Sequence, residues 1–251
     1  MVRGGSRPQL RLRPVLQDGG SVTRPFAQAL RATAGGLAAG LALLLALAAH
    51  GPARAEGQPG QFDFYVLSLS WSPTYCEDQG RRADSEPQCS LTRPYAFVVH
   101  GLWPQYERGF PQYCQNPPPY VPNPLVNSML DVMPSRRLVI YEWKKHGTCS
   151  GLSPQAYFDQ VRAAKAKVVI PAEFSRLDDY KMVSPQEVED SFRAANPGLD
   201  TGMISVDCDR RRLREVRVCL SRDLAFQPCP EVDRHACRLS RMVMPPVRGG
   251  R

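Results

Sequence analysis

"YAFVVHGLW", residues 95–103, is apolar at almost every position, so it reads as a strand covered on both faces and seated centrally in a sheet. It runs straight into His100, which Gly101 and Trp103 follow. A His at the end of a buried strand projects from a rigid element at its open edge, a good platform for a catalytic group. The plainer alternative is a core His whose ring is satisfied by a carbonyl.

Upstream, "QFDFYVLSLSW" (61–71) alternates Phe62, Phe64 and Val66 against Asp63, Tyr65 and Leu67, a strand with two non-equivalent faces. The polar stretch between Cys76 and Cys89 reads as a surface loop. Downstream, seven Pro within residues 104–124 predict an irregular, exposed loop. A short helix follows in "NPLVNSMLDVM", ended by Pro134. "SRRLVIYEWKKHG" (135–147) reads as a helix or a strand-to-helix passage, with Gly147 placed like a C-terminal cap. Two helices have marked starts: Ser153 as N-cap with Pro154, and Ser184, Pro185 and Glu187 as a capping box, stopped by Asn196–Pro197–Gly198. The last fifty residues read as short strands pinned by four Cys. With no repeat and no linker, the expectation is one α+β domain: a central, mainly antiparallel sheet with helices packed on it, stapled by disulfides.

Charge is unevenly placed. Residues 1–55 hold seven Arg and one Asp, which accounts for +6 of the net +8, so overall basicity is weak evidence for nucleic-acid binding. That leader contains the apolar run "LAAGLALLLALAA" (37–49) behind Arg24 and Arg31, then Gly51–Pro52 and "ARA" (53–55). It reads as an export signal over 1–55, cut after Ala55, leaving a single domain over 56–251. The run is shorter than the roughly 20 apolar residues that span a bilayer, so no membrane attachment is expected after cleavage. All eight Cys follow the cut, as suits an oxidising compartment, periplasmic or extracellular. Neither His100 nor His146 has a second ligand at zinc spacing, so no metal and no cofactor are expected.

"YEWKKHGTCSG" (141–151) is the second constellation. On a helix, Glu142 and His146 lie four apart, as do Tyr141 and Lys145, with Cβ atoms about 6 Å from each other. Carboxylate, imidazole and ammonium are then close enough to share one small anion. The Glu raises the imidazole's basicity and the Lys lowers it, which is how an acid or base is tuned. Against this stands a solvated Glu–Lys pair with His146 as a cation at a helix C-terminus.

"HGLWPQY" (100–106) and "YEWKKHGTC" (141–149) resemble the two active-site segments of the ribonuclease T2 family of secreted acid endoribonucleases, here in a bacterial form. "PYAFVVHGLWP", Ile170–Pro171 and "SFRAANPGL" (191–199) also resemble family landmarks, so the likeness covers the chain after Glu56. It implies metal-independent transesterification of single-stranded RNA through a 2′,3′-cyclic phosphate to 3′-phosphate ends, with low base specificity. By likeness His146 is the base, His100 the acid, Lys145 the stabiliser of the crowded phosphorane, and Glu142 an aid to His146 or a donor to phosphate. Both imidazoles are expected near their ordinary pKa. Trp103 matches a base-stacking aromatic or packs under the loop, and Tyr106 or Tyr113 stands for the family's stacking Tyr. Tyr141 replaces a phosphate-holding His, and Gln105 replaces an acidic residue. The pattern implies disulfides Cys76–Cys89, Cys114–Cys149, Cys208–Cys237 and Cys219–Cys229. No obligate partner is implied, and a monomer is the default. His235 reads as a solvated loop residue and "DRRRLR" (209–214) as a charged turn rather than an RNA-steering patch. The rivals are a catalytically idle relative that binds RNA or protein, and a disulfide-rich binding module.

Overall fold

The computed structural model describes residues 57–248. The expected export signal over 1–55, with its expected cut after Ala55, lies outside the described residues. The elements are β1 (Phe64–Trp71), α1 (Ser72–Gln79), β2 (Phe97–Gln105), α2 (Asn123–Ser128), α3 (Arg136–Lys145) and α4 (Pro154–Lys167). There follow β3 (Lys181–Val183), α5 (Pro185–Ala195), β4 (Ile204–Cys208), β5 (Leu213–Leu220), α6 (Pro230–Arg234) and β6 (Met242–Met244).

The main sheet is antiparallel throughout, in the order β2-β1-β5-β4, and β3 pairs with β6 in a small second sheet. β1 sits inside the sheet and has two faces, as its alternation predicts. Tyr65, Leu67, Leu69 and Trp71 enter the large core, which Val126, Val139, Trp143, Phe158 and Phe192 complete from four helices. Phe64 and Val66 face a smaller cluster with Cys219, Cys229 and the half-buried Trp103. The core fixes the helices and leaves the opposite face free for a site. The expected α+β architecture is therefore present, as are all four disulfides in the implied pairing. Both predicted N-caps form: Ser153 accepts from Ala156 N–H, and Ser184 and Glu187 cap each other.

Two local expectations are corrected. β2 is an edge strand, not a central one. Its apolar run is still buried because α3 and α4 pack on it and Val99 N–H donates to the Val132 carbonyl at 2.9 Å, so chain after α2 closes the open edge. A covered edge and a central strand have the same apolar signature. Gly147 is not a left-handed cap. The chain leaves α3 through His146 (φ −113°) into a 3-10 turn over Gly147–Cys149. Glycine is required there because a Cβ would run into the rings of Trp143 and Tyr157.

Candidate active site

The pairing of β1 with β2 shifts register so that Val99 faces Leu69 and Gly101 faces Ser68, which leaves His100 in a bulge. Bulges re-aim the residue they carry. On β1 the neighbouring residues of that face are Ser68 and Ser70, and across them on β5 stand Arg217 and Glu215. The two short side chains let His100 reach over β1, and its Nδ1 meets Glu215 Oε1 at 2.5 Å. Glu215 Oε2 in turn accepts from Arg217 Nε at 3.1 Å and Nη2 at 2.9 Å. Burial alone would lower the His100 pKa, but the Glu215 hydrogen bond and the charges of Glu215 and Glu142 outweigh it and hold the pKa above the ordinary value. Burial would raise the Glu215 pKa, yet His100 and Arg217 pull it down to about 2. Each partner thus favours the charged form of the other.

Glu142, 1% exposed, arrives from α3. Its Oε2 accepts from Trp103 Nε1 at 2.7 Å, and its Oε1 lies 3.6 Å from His100 Nε2. Gly101 makes this possible, since a Cβ there would land on Glu142 Oε2 and the Trp103 indole. Burial raises the Glu142 pKa, against the nearby His100 and the Trp103 hydrogen bond. The expected pairing of Glu142 with His146 is therefore corrected. The helix puts both on one side, but the carboxyl turns to β2 while His146 sits past the last full turn.

His146 is 5% exposed. Its ring stacks on Trp103 at 5.3 Å and 30°, and Phe110 approaches at 6.0 Å. Among the described residues its buried Nδ1 has no hydrogen-bond partner. Burial first, then the charges of Lys145 and His100, pushes its pKa down to about 3. Lys145 Nζ lies 5.9 Å from the Phe110 ring centre and 5.7 Å from that of Tyr141. His100 touches the same indole edge-on at 5.3 Å. Both imidazoles, Lys145, Glu142, Trp103 and Tyr141 thus line one cleft of about 430 Å³. The expectation of two unperturbed imidazoles is corrected: one is raised and one is lowered.

Tyr106 is not brought in; it packs against the main core and donates its N–H to Gly109 at 3.0 Å. Tyr113 hydrogen-bonds Tyr141 at the rim, and its N–H holds the Lys145 carbonyl at 2.8 Å. Beside it the Cys114–Cys149 disulfide ties the Pro-rich loop to the turn after His146. His235 is exposed, as expected, but it stands at the cleft wall 3.5 Å from Glu231. Sequence reasoning missed Phe110, Glu215 and Arg217. For the last two a signal existed: in "LREVRV" the pair sits two apart on a strand, hence on one face. Phe110, in a loop without periodicity, had none.

A disulfide-stapled α+β fold whose cleft holds two oppositely shifted imidazoles beside a lysine has the groups that acid–base chemistry on an anion requires. The model of the ribonuclease T2 family matches residues 62–229, and the chain belongs to that family. A ribonuclease of Aeromonas hydrophila is 36% identical over 190 residues, covering 73% of this chain and 83% of the relative. Ribonuclease I of Escherichia coli is 27% identical over 213 residues, covering 68% and 80%. In fold, the chain is similar to RNase NT solved with 5′-AMP, with a TM-score of 0.60 at 24% identity, over 74% of this chain and 99% of that one.

Proposed function

We propose that this T2-family endoribonuclease cleaves single-stranded RNA by using His146 as base and His100 as acid. The observation that carries the reading is that two imidazoles meet one indole in one cleft, one bound at Nδ1 by a carboxylate and the other buried at Nδ1 with no partner among the described residues. His146 Nδ1 is sealed in protein, which leaves Nε2 to take the proton of the ribose 2′-hydroxyl. The 2′-oxygen then attacks the adjoining phosphorus and the bond to the 5′-oxygen breaks. His100, its Nδ1 held by Glu215, gives the Nε2 proton to that leaving oxygen. Lys145 stands where charge builds on the phosphorane. Hydrolysis of the 2′,3′-cyclic phosphate runs the two roles in reverse, water taking the place of the leaving oxygen, and ends at a 3′-phosphate.

An imidazole at about 3 is by itself a weak base. The RNA phosphate brings negative charge against Lys145 and His146, which raises that imidazole toward the working range. Glu142, facing His100 Nε2 rather than His146, aligns the acid. Tyr141, 44% exposed, offers a hydroxyl to the phosphate where the family commonly has a His. Trp103 is held by Glu142 and His146 and sets the two imidazoles apart, while Phe110 supplies a face for a base, consistent with low base specificity. The leader over 1–55 fits export with removal after Ala55, and 56–251 then works as one domain in the periplasm or outside the cell.

The test is incubation with single-stranded RNA and a chelator at about pH 5–7, followed by end analysis. Cyclic or 3′-phosphate ends that disappear in His100→Ala and His146→Ala are expected. Chelator-sensitive cleavage, or 5′-phosphate ends, overturns the reading.

A further inference from the structure

The tract Asp209–Arg214 takes no part in the chemistry above, yet it borders the same surface. His100, Tyr141 and Glu215 line the catalytic cleft and also a second one of about 580 Å³, so His100 stands in the wall between them. The second cleft is edged by Arg137 of α3 and Arg214 of β5. It shares Arg214 and Asp78 with a third opening of about 470 Å³, walled by Arg210, Arg211 and Arg212. Three depressions therefore adjoin in a row from Lys145 to the turn between β4 and β5.

The guanidinium groups along this row differ in kind. Arg212 pairs with Glu77 at 2.9 Å, Asp209 at 2.8 Å and Asp78, and Asp209 Oδ1 accepts the N–H groups of Arg211 and Arg212 at 2.7 Å each. It pins the turn to α1. Arg137, Arg210, Arg211 and Arg214 are exposed, and among the described residues none of them has a carboxylate at ion-pair distance. A solvated turn needs no such anchoring, whereas an anion site gains from cations on a held backbone. Outside the leader the chain is only +2, so the row is a local feature and not a reflection of bulk charge.

We infer that this row is a track for the phosphates of the RNA strand downstream of the cut, held by Arg137, Arg214, Arg210 and Arg211. The direction follows from the assignment of His100 as acid, and so rests on the proposed function: the leaving 5′-oxygen belongs to the downstream nucleotide, and the second cleft opens beyond His100. Lys145 and His146, on the other side, face the ribose that keeps the phosphate. The substrate class is then a single strand several nucleotides long rather than a dinucleotide, with affinity that falls as salt rises.

The experiment compares kcat/KM of the full protein for three RNAs: a dinucleotide, the same bond followed by about eight downstream nucleotides, and the same bond preceded by about eight upstream. The downstream extension is expected to be favoured. Arg210→Ala/Arg211→Ala is expected to lose on the order of tenfold of that gain at low salt and to flatten the log–log salt slope by about 0.7 per phosphate contact removed. Cleavage of the dinucleotide stays unchanged, which shows a folded, working site, and Arg210→Lys/Arg211→Lys keeps most of the gain. Equal treatment of the long RNA by the Ala variant and the parent, or a preference for the upstream extension, overturns the track. Failure of the parent to cut even the dinucleotide is a different result, and sinks the catalytic reading instead.

Discussion

The sheet side and the helix side of the cleft hold the same side chain in opposite states. On the sheet, His100 meets a carboxylate braced by Arg217, and the pair resists burial by staying charged. At the end of α3, His146 is sealed against Trp103 with no partner on Nδ1 and an ammonium next in sequence, so it stays neutral. Residue identity sets the candidates, and the partner that burial leaves to each decides which is acid and which is base.

The comparison breaks most visibly if either ring is removed. His100→Ala and His146→Ala are each expected to lower kcat/KM on single-stranded RNA by about 10²–10⁴. Lys145→Ala removes positive charge from the phosphorane but neither proton carrier, so a loss of about 10²–10³ should fall mainly on kcat. Glu215→Gln sharpens the contrast. Activity needs His100 protonated, so it is lost as pH rises through the His100 pKa. Deleting the anion that raises this pKa should move the alkaline limb of the kcat/KM profile to lower pH. A variant whose limb stays in place while its rate drops would make Glu215 merely structural. Smallest is Tyr141→His, which adds a titrating donor at the cleft edge. It should lower KM a few-fold below about pH 6.5 and lose that effect above it.

How much of this was legible depends on sequence distance. His100 with Trp103 in one strand, and Glu142 with Lys145 and His146 in one helix end, are local patterns, so the cast was visible. The hydrogen bond from His100 to Glu215 spans 115 positions and needs a bulge plus two serines on the strand between, which no local pattern encodes. For the same reason the helical period points Glu142 toward His146 where the structure gives it Trp103 and His100: a period fixes a side, not which neighbour of another element fills it. The edge position of β2 was hidden because covering by α3, α4 and Val132 removes the polar signature that edges usually carry. Tyr106 has an aromatic ring within the motif, yet that ring packs against the core, a difference that residue type alone does not encode. The helix starts, by contrast, were plain, since a capping box is complete within four residues.

Ring ¹⁵N NMR titration of the folded protein, with the imidazoles assigned by single His→Asn variants, addresses the opposed tuning most directly. His100 should titrate above its ordinary value of about 6.5, while His146 stays neutral through mildly acidic pH and shifts upward when inorganic phosphate fills the cleft. A His146 ring that gains its proton at higher pH than His100 would reverse acid and base and contradict the assignment.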